Sequence, residues 1–223
     1  LVGNHDRAQR LNDSPFMDEI KKSIDEAGAL VLSDAWLAGG FVSSKTCITS
    51  PESAKGQTLR AAGPAFEQML VGAGASISSM PSSEIYTGMQ QNVLQGANTS
   101  SGSLVSYRIY EVSTCLTAPG ENALWFMYEP ILMSKRSFEK LNKEQQDALM
   151  AAGEKAEAYF AEEASKLDAE LIEVYKKNGV EVTEMTKENY DAWLAIAKET
   201  SYKEFAEKVP NGQALIDAAL AVE

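Results

Sequence analysis

The 223-residue chain has a single histidine, two cysteines and few basic residues. His5 has no cysteine, histidine or carboxylate cluster at ligand spacing around it. A metal centre is therefore not expected, and His5 reads as a surface residue. No run of eighteen or more apolar residues occurs, so no segment is expected to cross a bilayer as a helix. Lysine and arginine number 20 against 32 aspartates and glutamates, a formal net charge of −12. That balance argues against nucleic acid or an anionic membrane surface as partner. There is no glycine-rich phosphate loop, no G-x-S-x-G elbow and no histidine placed with a nucleophile, so no catalytic set emerges. Adjacent carboxylates such as Glu162 and Glu163 read as helix surface. The opening L-V-G-N-H-D-R-A-Q-R lacks the basic, apolar and small-residue design of a secretion signal. If the protein is secreted, its signal has been removed.

What the chain does have is 44% hydrophobic residues and enough length for one or two domains with a real core. The most informative stretch runs from Ser53 to Ser101. Thr58 to Ala62 reads as a short apolar strand carrying one charge, Arg60. Gly63-Pro64 turns the chain into a helix over 65–71, which Gly72 and Gly74 end. Ser76 to Met80 reads as the next strand. Pro81 opens another helix, with Ile85, Met89 and Val93 as its buried stripe. Gly96 closes that helix, and a polar run, 97–103, follows. This alternation predicts a parallel α/β sheet with ligands held beyond the carboxyl ends of the strands. Arg60 admits two readings. It is a strand-end arginine in water or in a structural ion pair, or it is a planar fork that grips a carboxylate through two parallel hydrogen bonds.

Elsewhere the pattern is regular. Residues 6–10 form a short helix, and Asn12-Asp13-Ser14-Pro15 starts another with Phe16, Ile20 and Ile24 inward. Ala29 to Ser33 reads as a buried parallel strand. Trp36 and Gly39-Gly40 follow at its carboxyl end, where Trp36 either packs on a ligand or is a buried structural residue. Ser50-Pro51-Glu52 starts a single helical turn. Cys47 and Cys115 lie in extended segments of one lobe, either bridged or as two buried thiols. Residues 123–128 form an aromatic strand continued by 131–134. Trp125 and Tyr128, three apart, face opposite sides of it, so at most one points at a ligand. About forty residues from Phe138 are helical, with Leu149, Ala152, Ala156, Phe160, Leu167, Leu171 and Val174 recurring at threes and fours. Residues 180–184 form a short strand, 186–201 a helix, and 213–222 a closing helix.

The pattern K-G-x-x-x-R, a helix, then G-A-x-x-x-x-M-x-x-S-E-x-Y-x-x-x-Q-x-x-V-x-x-G resembles the solute-binding proteins of TRAP (tripartite ATP-independent periplasmic) transporters. Its residues here are Lys55, Gly56, Arg60, Gly74, Ala75, Met80, Ser83, Glu84, Tyr86, Gln90, Val93 and Gly96. The likeness continues through R-I-Y-E at 108–111, L-M-S-K at 132–135 and L-N-K-E-Q-Q-D-A-L from Leu141. It implies a two-lobe α/β periplasmic binding protein (type II-like) whose long helix spans both lobes. It further implies that the N-terminal part of the first lobe is absent from this chain. On that plan residues 1–37 belong to lobe I and 38–124 form lobe II. Residues 125–160 then hold the crossover strand and long helix, and 161–223 pack mainly on lobe II.

The implied function is an extracytoplasmic, periplasmic receptor. It binds a small carboxylate between its lobes without a cofactor and delivers it to TRAP membrane subunits. The alternatives are an α/β enzyme acting on a carboxylate and a helical partner-binding module. Arg60 is the implied carboxylate clamp. Asn98, Thr99 and Ser100 stand near the position of a ligand-binding asparagine in relatives, and they alternatively form a polar turn capping a helix over 104–111. Trp36, Trp125 and Tyr128 complete the candidate ligand-binding set. Many relatives carry a second arginine where this chain has Ala38-Gly39-Gly40-Phe41. The glycines are expected to leave space there, favouring a monocarboxylate with a bulkier body over a compact dicarboxylate.

Overall fold

A computed structural model describes residues 2–222. Capping marks the first helices. Asn4 accepts from the Arg7 amide at the start of helix His5–Asn12, and Ser14 caps Pro15–Glu26 with proline in the first turn. Gly28, at φ +87°, ends that segment in the left-handed region glycine tolerates. Strand β1 (Ala29–Ser33) follows, then β2 (Trp36–Ser43), β3 (Thr58–Arg60) and β4 (Ser76–Ile77). The later strands are β5 (Gly96–Ser100), β6 (Cys115–Ala118), β7 (Trp125–Tyr128), β8 (Ile131–Ser134) and β9 (Glu181–Glu184).

Two sheets result. β1 pairs antiparallel with β8 in a two-stranded sheet, and its residues are mostly half-buried. The expected buried parallel strand at 29–33 is therefore wrong in both respects. The larger sheet has the order β4-β3-β5-β2-β6-β9, with β7 also on β2. It is mixed rather than parallel. β3 runs parallel to β4 and β5, and β6 to β9, while β2 is antiparallel to β5, β6 and β7. Trp36–Ser43 is one strand that pairs with three others, so Trp36 and Gly39-Gly40 lie within it and not beyond a strand end.

The polar run after Gly96 is also not a turn. It is β5, a strand buried along its whole length between β3 and β2. The preceding helix is correspondingly shorter, Ile85–Gln90; Ile85 and Met89 are buried, but Val93 lies outside it and is 51% exposed. The helix after β5 begins at Ser101 and ends at Ser106, with a separate 3-10 turn at Ile109–Val112.

Each face of the large sheet carries its own core. One holds Phe41, Leu59, Leu70 and Trp193, with Phe41 stacked on Trp193 at 6.0 Å between ring centroids. The other holds Val42, Leu94, Ala97, Leu116, Leu171 and Tyr175. The helix Lys143–Lys177 opens with a reciprocal capping box between Asn142 and Gln145. Its buried residues are Gly153, Ala164, Leu171 and Tyr175. Gly153 lies against Leu32 of β1, whereas Leu171 and Tyr175 reach the large sheet's second core. One helix thus packs on both sheets.

Cys47 and Cys115 are disulfide-bonded, with Cα atoms 5.2 Å apart, and join the segment after β2 to β6 across 68 residues of sequence. Such a loop closure contributes about 2–4 kcal/mol. Replacing both cysteines with serine is expected to lower unfolding stability by that amount in urea melts. Reduction of the unmodified protein should produce the same loss.

Candidate ligand-binding site

Arg60 ends β3, where the chain turns at Gly63-Pro64 into the helix Pro64–Gly72. Only 9% of its surface is exposed. Its Nε donates to the Met80 carbonyl at 3.0 Å, and Nη1 donates to the Asn98 carbonyl at 2.7 Å. Burial pulls the guanidinium below its usual range, with the charge of Glu67 opposing that pull. No carboxylate among the described residues forms a salt bridge with it. A guanidinium has five N–H donors. Two are held by main-chain carbonyls, so the group is oriented, and its other donors have no partner among the described residues. The ion-pair reading of Arg60 therefore does not hold.

Register decides which neighbours share its face. Arg60 is level with Ala97 of parallel β5, so by strand alternation Thr99 lies on Arg60's face, and Asn98 and Ser100 lie on the other. The pairing of Asn98 with Phe41 puts it on the first core's side. Asn98 is fully buried, and its Oδ1 accepts from the Ala62 amide at 2.9 Å. It thus holds the turn that follows Arg60 by its side chain and the guanidinium by its main chain. Ser100 caps the helix Ser101–Ser106 and bonds to the Ser103 hydroxyl at 3.0 Å. Ser100 thus forms a cap, from a strand end and not a turn, on a helix that starts at Ser101 and not at Leu104. Thr99 is 4% exposed, and its hydroxyl has no hydrogen-bond partner among the described residues. Asn98→Ala is expected to free the half-buried Ala62 amide and cost about 1 kcal/mol of stability, read from thermal or urea melts.

The aromatic candidates are placed elsewhere. Trp125 is 2% exposed, with its ring against Gly39 and its Nε1 buried without a protein acceptor. Trp36 and Tyr128 pair across β2 and β7 with ring centroids 5.1 Å apart. The Trp36 indole donates to Asn12 Oδ1 at 2.7 Å, and the Tyr128 hydroxyl donates to Asp34 Oδ1 at 2.5 Å. Burial and that carboxylate push the phenol far above its usual range. Asp34 also accepts from Lys21 at 2.5 Å. The structure therefore brings Arg60 and Thr99 together and leaves the three aromatic residues in packing or hydrogen-bonded roles.

Two expectations fail here. Gly39 and Gly40 do not leave open space. A Cβ on Gly39 would sit 2.0 Å from the Thr99 carbonyl oxygen, and one on Gly40 would sit 2.4 Å from that of Thr117. Close approach of neighbouring strands requires both glycines, so they do not point to a bulkier ligand. Nor is His5 simply a surface residue. Its Nε2 lies 2.7 Å from Asp168 Oδ2, and its ring meets Phe126 edge-on at 5.2 Å. The other Asp168 oxygen accepts from Ser101 at 2.5 Å, tying the long helix to the end of β5. Asp168 and the carbonyl of Met80 carry no sequence signal, because each acts through a partner remote in the chain. As for metals, the one group of ligand-type residues at close range is Cys47, Cys115 and Glu181, among the described residues, and both sulfurs there are bonded to each other.

Two sheets and a long helix packed on both make an α/β fold with an oriented arginine at a strand end. A profile described as "Bacterial extracellular solute-binding protein, family 7" matches residues 1–208. The chain belongs to this family of solute-binding proteins. A solute-binding protein of Albidiferax ferrireducens is 36% identical over 208 residues, which are 93% of this chain and 62% of that relative. The chain thus spans somewhat under two thirds of that relative's length. The C4-dicarboxylate-binding periplasmic protein DctP of Shewanella loihica is 25% identical over 225 residues, covering 99% of this chain and 65% of the relative. Among solved structures, a TRAP periplasmic solute binding protein from Rhodoferax ferrireducens with bound malonate superposes with a TM-score of 0.93 at 35% identity. That alignment covers 98% of this chain and 69% of the other.

Proposed function

We propose that this chain is part of a periplasmic TRAP receptor that holds a small organic acid between two lobes and hands it to membrane subunits. The observation that carries the reading is the Arg60 guanidinium, buried, free of a salt bridge among the described residues and fixed by two main-chain carbonyls. An arginine kept in that state has its solvation already reduced and its direction set, so a carboxylate meets a preorganised fork. Thr99 on the same face supplies a hydroxyl to the same ligand. Asn98 acts as a positioning residue for the Arg60 turn, and Ser100 through its helix cap. Trp36, Tyr128 and Trp125 support the junction around β2.

The lobes on this reading are residues 1–37 with the long helix's first half, and 38–124 with most of 161–223. The acids named for similar proteins, malonate and C4-dicarboxylates among them, agree with the donor chemistry. Because Gly39 and Gly40 are filled by neighbouring strands, compact acids are the first ligands to test. Malonate and succinate are expected to raise the thermal midpoint of the protein, since a ligand selective for the native state stabilises it by mass action. Neutral isosteres such as malonamide should leave the midpoint where it is. A panel in which the acids have no effect would count against the reading.

A further inference from the structure

We propose that a second cavity, separate from Arg60, binds a compact neutral molecule made of an apolar ring and a carbonyl oxygen. The cavity measures about 290 Å³. Its walls include Phe16, Phe66, Met69, Leu124, Phe126 and Leu194, contributed by the second helix, the helix after β3, the chain around β7 and the helix Lys187–Ala197. No charged side chain lines it, and neither do Arg60, Asn98, Thr99 or Ser100. A cavity of roughly 150 Å³ with such walls accepts benzene, so this one has room for a ring with a short substituent.

Its polar groups specify the rest of the guest. Four polar side chains reach the lining. The Ser201 hydroxyl is committed to the Ala65 carbonyl at 2.5 Å, and the Trp36 indole to Asn12. The remaining two are Tyr190 and Tyr202, whose hydroxyls have no hydrogen-bond partner among the described residues. Burial raises both phenols, Tyr202 to about 12, and the charge of Arg7 opposes that rise at each. They therefore stay protonated and act as O–H donors across the physiological range. A pure hydrocarbon would accept from neither, whereas a carbonyl oxygen can accept from a phenol. Arg7, the cation felt by both phenols, is not part of the lining and its Nη2 is held by the Ala219 and Leu220 carbonyls, so a carboxylate would meet no cation in the walls themselves.

The test is a calorimetric and NMR titration with acetophenone and, as a hydrocarbon of similar shape, ethylbenzene. Acetophenone is expected to bind saturably, at least tenfold more tightly than ethylbenzene, and to shift the indole resonance of Trp36. The double variant Tyr190→Phe, Tyr202→Phe keeps both rings and should erase the preference without lowering the melting point. Arg60→Met should leave acetophenone binding unchanged while the response to malonate is lost, which separates this site from the carboxylate reading. The proposal is overturned if acetophenone does not bind saturably, or if the two probes bind alike. It is equally overturned if the phenylalanine variant keeps the preference, if Trp36 does not respond, or if Arg60→Met weakens acetophenone.

Discussion

Arg60→Met is expected to weaken malonate binding by about 30- to 4000-fold in calorimetry, the equivalent of 2–5 kcal/mol for losing a desolvated, hydrogen-bonded charged contact. Methionine keeps much of the side chain's length and apolar stem but has no donors. The Met80 and Asn98 carbonyls also lose their partners, so a melting curve must accompany the titration. Arg60→Lys provides the finer comparison. It keeps the charge but cannot satisfy two carbonyls and present a planar fork together, so an affinity between those of wild type and methionine is expected. Wild-type affinity in a folded Arg60→Met protein would remove the arginine from the site.

Gly153→Ala is expected to cost about 3 kcal/mol or more of unfolding stability, at the upper end of overpacking substitutions. An added Cβ would lie 1.7 Å from the Leu32 carbonyl oxygen and 2.7 Å from its carbon. Both are main-chain atoms of β1, so no side-chain rotation relieves the overlap. The long helix would have to move away from the small sheet it anchors. Gly102→Ala is the matched control. It lies in the helix Ser101–Ser106 with nothing within 4 Å of a built Cβ, and there alanine should stabilise by about 0.5–1 kcal/mol through helix propensity. A tolerated Gly153→Ala, judged by urea unfolding, would mean that helix and strand do not approach this closely.

Punctuation was legible in the residues themselves. Ser14-Pro15, Ser50-Pro51 and Gly63-Pro64 each start a helix as read, because proline's fixed φ and a serine cap act within one turn and need no distant partner. Arg60 stood out for a similarly local reason, as a charge on an apolar strand. Its orientation is set by Met80 and Asn98, 20 and 38 residues away, whose carbonyls accept from it. The polar stretch Ala97-Asn98-Thr99-Ser100 shows the opposite case. Strands are recognised by apolar alternation, and this one has almost none. Its place between β3 and β2 makes it a central strand, with Asn98 Oδ1 paired to the Ala62 amide and Ser100 to a helix cap, while Asn98 Nδ2 and the Thr99 hydroxyl have no partner among the described residues.

By itself, then, the order of residues determined where several helices begin and that one arginine, Arg60, sits on an otherwise apolar strand. Tertiary structure decided that the large sheet is mixed, that Thr99 and not Asn98 shares Arg60's face, and that two glycines are filled by neighbouring strands. The physical reason is range. Caps and turns are set by dihedral angles and hydrogen bonds within a few residues, whereas face, burial and partner depend on strand register, which exists only once remote segments have paired.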